Sequence, residues 1–183
     1  MEKEFFPCRI FCRPKTVPDF TVPLIDGGKF HLSQRLGDNF TLLLFYRGVH
    51  CPICKMQLRE LQRRLGAFSE RGITVLAISM DSKERAEKSV DEWGVDELLL
   101  GYGLSEDLAR DLDLYISSGR PGSEEPTIFS EPAMLLVKPD QTLYFASIQS
   151  MPFTRPPLDE LLKGIDYAME HDYPARGELA KSR

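Results

Sequence analysis

Two six-residue stretches are apolar at nearly every position: TLLLFY at residues 41–46 and ITVLAI at residues 73–78. A run of that length without polar alternation predicts a strand covered on both faces, as in the middle of an α/β sheet. Between the two runs the period changes. Leu58, Leu61, Leu65 and Phe68 fall on one stripe at helical spacing, Lys55, Arg59, Arg63 and Arg64 lie largely elsewhere, and Gly72 stops the helix.

The flanking segments extend this pattern. Residues 20–24 and 29–32 predict two short strands joined by the turn Asp26-Gly27-Gly28. Ser33 is placed to cap a turn of helix that runs to Leu36 and ends at Gly37. Asp81-Ser82 opens a helix with Ala86, Val90 and Trp93 on its apolar side and Gly94 at its C′ position. Residues 96–100 read as a short strand, and Ser105 caps a short helix with Leu108 and Leu112 inward. Residues 115–131 carry Gly119-Arg120-Pro121-Gly122 and Glu124-Glu125-Pro126 and show little regular pattern. A loop of that length inside a compact domain is usually functional or mobile. Residues 133–137 and 142–148 predict an antiparallel hairpin about Lys138-Pro139-Asp140-Gln141. Pro156-Pro157 introduces a last helix with Leu158, Leu161, Leu162, Ile165 and Met169 inward. The tail from His171 is polar, with Tyr173-Pro174 able to dock. The order is β-β-β-α-β-α-β-α-loop-β-β-α. It predicts an α/β, thioredoxin-like fold: a central mixed sheet flanked by helices, with an N-terminal β-hairpin added.

Composition sets bounds on this picture. A chain of 183 residues fits one domain with a core of its own. We divide it into an N-terminal extension (1–16), the domain (17–178) and a tail (179–183). With 42% hydrophobic and 28% charged residues it reads as globular. A net charge of −5 argues against nucleic acid and against an anionic membrane surface as partners. No apolar run reaches membrane-spanning length, and MEKEFFPCRIFCRPK is not a secretory signal, so a cytoplasmic location is expected. Four cysteines in that setting point to catalysis, metal binding or ordinary thiols before a disulfide framework. Cys8 and Cys12 are ordinary thiols of an irregular extension, an auxiliary redox pair, or half of a zinc site. No cofactor is expected.

The chemistry concentrates after the first apolar run, in Arg47-Gly48-Val49-His50-Cys51-Pro52-Ile53-Cys54. This is strand, tight turn and helix, with Cys51 at or near the N-cap and Cys54 a turn inside. A helix N-terminus offers unpaired N–H groups and the positive end of the dipole, and both favour thiolate. Cys51 is therefore the candidate nucleophile, with Arg47, His50 and Lys55 as further groups able to lower its pKa. Cys54, better shielded, is the candidate resolving thiol. Pro52 fits the first helical turn, where its missing N–H costs nothing. Pro132, directly before residues 133–137, could lie against the dithiol if its preceding peptide is cis; otherwise it simply starts a strand. His50 is a candidate base, pKa modulator or lid. Arg47 is a candidate binder of an anion or a peroxide oxygen. Asp19, Asp81 and Tyr46 are candidates for proton shuttling. A zinc site on Cys8, Cys12, Cys51 and Cys54 is the competing class.

Val17-Pro18-Asp19-Phe20, Phe45-Tyr46-Arg47-Gly48-Val49-His50-Cys51-Pro52-Ile53-Cys54-Lys55, Ser130-Glu131-Pro132, Lys138-Pro139-Asp140, the segment from Tyr144 to Phe153, and Asp172-Tyr173-Pro174-Ala175-Arg176-Gly177-Glu178 resemble the peroxiredoxin-like branch of the AhpC/TSA (redoxin) family of the thioredoxin superfamily. The resemblance covers Val17 to Glu178. It implies that Cys51 is the attacking cysteine and Pro132 the cis-proline. It also implies a peroxide or protein disulfide as oxidant and a thiol donor of the thioredoxin, glutaredoxin or glutathione kind. A homodimer would be unsurprising. The chain departs from typical peroxiredoxins in two positions: Leu44 stands where they have proline, and Gly48 where they have threonine or serine. We therefore expect thiol–disulfide exchange through a Cys51–Cys54 disulfide ahead of peroxide reduction at Cys51. A non-catalytic redox-sensing or zinc-binding module is the third reading.

Overall fold

The computed structural model describes residues 16–177; Cys8, Cys12 and residues 178–183 lie outside them. The chain runs through β1 (Thr21–Pro23), β2 (Lys29–His31), β3 (Phe40–Phe45), α1 (Pro52–Arg63), α2 (Leu65–Ser69), β4 (Ile73–Ile78) and α3 (Lys83–Trp93). It continues through β5 (Leu100–Gly101), α4 (Glu106–Asp111), β6 (Ile116–Ser118), β7 (Ile128–Ser130), β8 (Ala133–Val137), β9 (Leu143–Ile148) and α5 (Leu158–Glu170).

The main sheet has the order β5-β4-β3-β8-β9. β3 pairs with β4 in parallel, Phe40 opposite Ile73 through Phe45 opposite Ile78. On its other side β3 pairs antiparallel with β8, Thr41 opposite Val137. The unbroken apolar character of β3 follows from this central place. Leu42 and Leu44 face one core with Leu58, Leu61, Ala86, Trp93, Leu162 and Ile165 from the helices. Leu43 and Phe45 face a second core with Val22, Leu24 and Phe30 from the N-terminal hairpin, and with Ala109 and Leu112. Each β3 leucine is completely buried, a contribution of about 2 kcal/mol per side chain. The predicted fold class is the observed one.

Several local expectations are corrected. Ser33 does not cap a helix: it lies inside a 3₁₀ turn (Leu32–Gln34), and both its N–H and its hydroxyl donate to the Asp19 carboxylate. The long helix breaks at Arg64, whose dihedrals leave the α region, so Leu65 and Phe68 sit on a separate short helix. The strand expected at 96–100 shrinks to Leu100–Gly101, because only Ala77 and Ile78 of β4 offer it pairing partners. On α5 Ala168 faces the core and Met169 is exposed. Residues 115–131 contain a two-stranded hairpin, with Ile116 opposite Ser130 and Ser118 opposite Ile128. Tyr173 does dock: its carbonyl accepts from the Tyr144 hydroxyl at 2.8 Å. Among the described residues no helix is long and apolar enough to cross a membrane.

Candidate active site

β3 delivers the chain to the edge of the main core, and Tyr46 continues its ladder by donating to the Ile78 carbonyl at 3.0 Å. The turn that follows depends on Gly48, whose φ is +127°. A Cβ there would also stand 2.6 Å from a carboxylate oxygen of Asp81. That carboxylate is fully buried and accepts from the Val49 N–H at 2.8 Å and from Arg85 Nε at 2.8 Å. Glycine therefore answers both a left-handed backbone and a filled space, which explains why no threonine or serine stands here. The turn closes with the Cys51 N–H on the Gly48 carbonyl at 3.1 Å, and Cys51 becomes the N-cap of α1 with Pro52 at its first position.

The Cys51 sulfur accepts the Cys54 N–H at 3.3 Å, one of the orphan donors of the helix start. Arg155, from the loop between β9 and α5, brings Nη2 to 3.5 Å from the Cys54 sulfur and 4.0 Å from that of Cys51. The side chain of Gln57, one turn further along α1, accepts from Arg155 and holds it in place. Cys51 is held down to about 6 from an ordinary value of 9.0, first by the Cys54 thiol, then by the Cys54 N–H, then by the charges of Arg155 and Arg47. Cys54 moves the opposite way: burial raises it, and the Cys51 sulfur raises it further. At neutral pH the pair is thus a thiolate on Cys51 and a thiol on Cys54. Burial likewise raises Tyr46, which remains a neutral phenol under the site, edge-on to Trp93.

Cys51 lies on a cavity of about 710 Å³ that also receives Arg47, His50, Pro52 and residues of the β6–β7 hairpin. Arg47 is not a free anion binder. Its Nη2 pairs with Glu125 at 3.2 Å, its Nε with Glu131 at 3.3 Å, and its guanidinium lies 4.6 Å over the Phe129 ring. His50 Nδ1 faces Arg85 Nη2 at 3.4 Å, and its ring meets Phe129 edge-on. Arginine can only donate, so Nδ1 is the acceptor and the neutral ring carries its proton on Nε2. Burial, then Arg47 and Arg85, hold His50 below its usual range. A neutral imidazole is the expected form at pH 7.

Sequence reasoning placed Cys51, Cys54, Pro52, Arg47 and His50 together, and they are together. Lys55 is not at the thiol: its ammonium donates to the Glu92 carbonyl on α3. Asp19 belongs to the N-terminal hairpin with Ser33, outside the cavity lining. Pro132 lies in a separate small crevice with Gln57 and Arg155, its carbonyl taken by the Gln149 N–H. Three residues were missed. Arg155 stands 104 positions from Cys51 and shows in sequence only as a cation before Pro156-Pro157. Glu125 and Glu131 sit in the segment that looked irregular. Among the described residues no cluster of His, Cys, Asp and Glu suited to a metal occurs.

A profile of the AhpC/TSA family matches residues 14–146, across the nucleophile turn and most of the sheet. The chain belongs to the AhpC/TSA family. It is similar to the alkyl hydroperoxide reductase C of Helicobacter pylori, 26% identical over 176 residues that cover 90% of this chain and 83% of that protein. Among solved structures, the peroxiredoxin 6 of Arenicola marina superposes with a TM-score of 0.71 at 20% identity, over 87% of this chain and 74% of that one. The reduced 2-Cys peroxiredoxin of Plasmodium vivax gives 0.69 at 22% identity, over 87% and 82%. These structures share the fold. Membership makes this AhpC/TSA protein an oxidoreductase of the peroxiredoxin type, whose chemistry is thiol-dependent.

Proposed function

We propose that the protein reduces a hydroperoxide at Cys51 and resolves the product with Cys54. One observation carries this order of preference: Cys51 is only 1% exposed and lines a cavity. A hydroperoxide can enter such a cavity, whereas a folded protein's disulfide must bring its sulfur to the thiolate. This reverses the order expected from Gly48 alone.

The thiolate of Cys51 attacks one peroxide oxygen and the O–O bond breaks. Sulfur gains that oxygen as a sulfenic acid, and the other oxygen leaves as water or an alcohol after taking a proton. Arg155 beside the sulfurs favours the charge that develops on the departing oxygen. Cys54 then attacks the Cys51 sulfur, the S–O bond breaks, water leaves and a Cys51–Cys54 disulfide forms. The timing is built into the pair. Part of what keeps Cys54 protonated is the negative charge of Cys51. Oxidation removes that charge and leaves Arg155, so Cys54 becomes more acidic when it has to attack. Two thiol equivalents, from a donor of the thioredoxin, glutaredoxin or glutathione kind, return the disulfide to the dithiol, in keeping with a cytoplasmic, reducing setting.

The second reading, disulfide exchange, is favoured by the same Cys51/Cys54 pKa asymmetry. Reduced protein mixed separately with hydrogen peroxide, cumene hydroperoxide and oxidised insulin distinguishes them by loss of free thiol. We expect either hydroperoxide to consume the thiols far faster than insulin. Faster reaction with insulin would reverse the order, and indifference to all three would remove both readings.

A further inference from the structure

α1 buries Cys54, Gln57, Leu58 and Leu61 on its inner face. Among them Gln57, 8% exposed, is the residue that brings an amide into the core. Buried polar atoms are costly unless they are hydrogen-bonded. Gln57 follows Cys54 by three positions, so one group from outside the helix can touch both. Arg155 is that group. Its Nη1 donates to Gln57 Oε1, its Nη2 reaches both sulfurs, and its Nε donates to the Pro152 carbonyl at 3.2 Å. Arginine only donates, so the amide atom that faces it is the oxygen. None of these acceptors is a carboxylate. Gln57 and Arg155 also share the narrow crevice with Pro132 and Gln149, which has no room for a water molecule. Solvent therefore does not replace the Gln57 oxygen in a variant that keeps the side-chain volume.

We infer that Gln57 is a positioning residue: its neutral oxygen fixes the Arg155 guanidinium beside both sulfurs without cancelling its charge. This rests on Cys51 being the reacting thiolate, as in the reading above. Gln57 acts through Arg155. A glutamate at this position would hold Arg155 firmly but neutralise it, as Glu125 and Glu131 do for Arg47. An apolar side chain would leave the charge and remove its direction, because Nη1 would lose its acceptor. Either change makes the Cys51 thiolate harder to form. The other charge that lowers Cys51, Arg47, keeps its own carboxylates in both cases, and His50 on the cavity side stays neutral.

The test reads the Cys51 thiolate without peroxide: the rate of alkylation by iodoacetamide against pH, located on Cys51 by peptide mass spectrometry. In Gln57→Glu the midpoint should rise by about one pH unit, and alkylation at the parent's midpoint should fall severalfold. Gln57→Met, which keeps the volume, should shift the midpoint in the same direction by less. In an Arg155→Met background Gln57→Met should add no further shift, since the residue acts through that arginine. Urea unfolding shows which variants are folded, and Gln57→Met carries the test if Gln57→Glu is not. A folded variant with the parent's midpoint, or a Gln57→Met shift that persists without Arg155, would overturn the inference and leave the peroxidase reading standing. Conversely, a parent whose Cys51 hydrogen peroxide does not oxidise, but whose alkylation midpoint moves as stated, would remove the peroxidase reading and support the positioning role.

Discussion

The hairpin side of the site and the loop between β9 and α5 each set an arginine near the dithiol, with different outcomes. On the hairpin side Arg47 is clasped by Glu125 and Glu131 and laid on Phe129. On the loop side Arg155 is held by a neutral partner, Gln57, and directs its charge at both sulfurs. Arg47 is close to Cys51 in sequence, yet it ranks behind Arg155 in lowering that thiol. A cation acts on a thiolate according to what else neutralises it, and nearness along the chain is a poor guide. Arg47 is a structural tie that fastens the hairpin wall to the nucleophile turn; Arg155 is the electrostatic partner of the chemistry.

Removing each arginine should break this comparison cleanly. Arg47→Met leaves the Glu131 carboxylate, which is 5% exposed, with the Ser117 hydroxyl but no cation, and should cost about 3 kcal/mol in urea unfolding, while Cys51 titration followed by thiolate absorbance moves less than in Arg155→Met. Gly48→Thr would restore the hydroxyl common in typical peroxiredoxins, but against a φ of +127° and the Asp81 carboxylate. It should cost about 2 kcal/mol and give no gain in peroxide rate. Arg155→Met should do the reverse of Arg47→Met: a small loss of stability, with the Cys51 pKa raised by about one unit. The sign for activity follows. Only the thiolate attacks, so the parent's rate should rise with pH through a midpoint of about 6 and level off above it. In Arg155→Met the midpoint moves upward, and the rate near pH 6 falls severalfold. A parent midpoint near 9 would show that the helix start and Arg155 do not activate Cys51.

The same contrast explains what could be read from sequence. The unbroken apolar runs specified β3 and β4 closely because central strands leave no polar position to confuse the period. Cys51, Pro52 and Cys54 were legible because their geometry is local to one helix start. Arg155 was not, because its role depends on a docking that joins the C-terminal region to α1. The hairpin of residues 116–130 was also hidden. Its two strands have three residues each, too short for an alternating pattern to stand out against the Gly-, Pro- and Glu-rich tip. Gly48 was legible as a departure from the family, but its cause, the Asp81 carboxylate, appears only when β3 and β4 lie side by side.

The division of labour between the two cysteines is tested most directly by mapping where peroxide oxygen and sulfur bonds appear. The reduced parent and its Cys54→Ser variant would each receive one equivalent of hydrogen peroxide in the presence of dimedone, followed by peptide mass spectrometry. We expect a Cys51–Cys54 disulfide in the parent and a dimedone adduct on Cys51, marking its sulfenic acid, in the variant. An oxidised parent without the Cys51–Cys54 bond, or a variant with no adduct on Cys51, would contradict it.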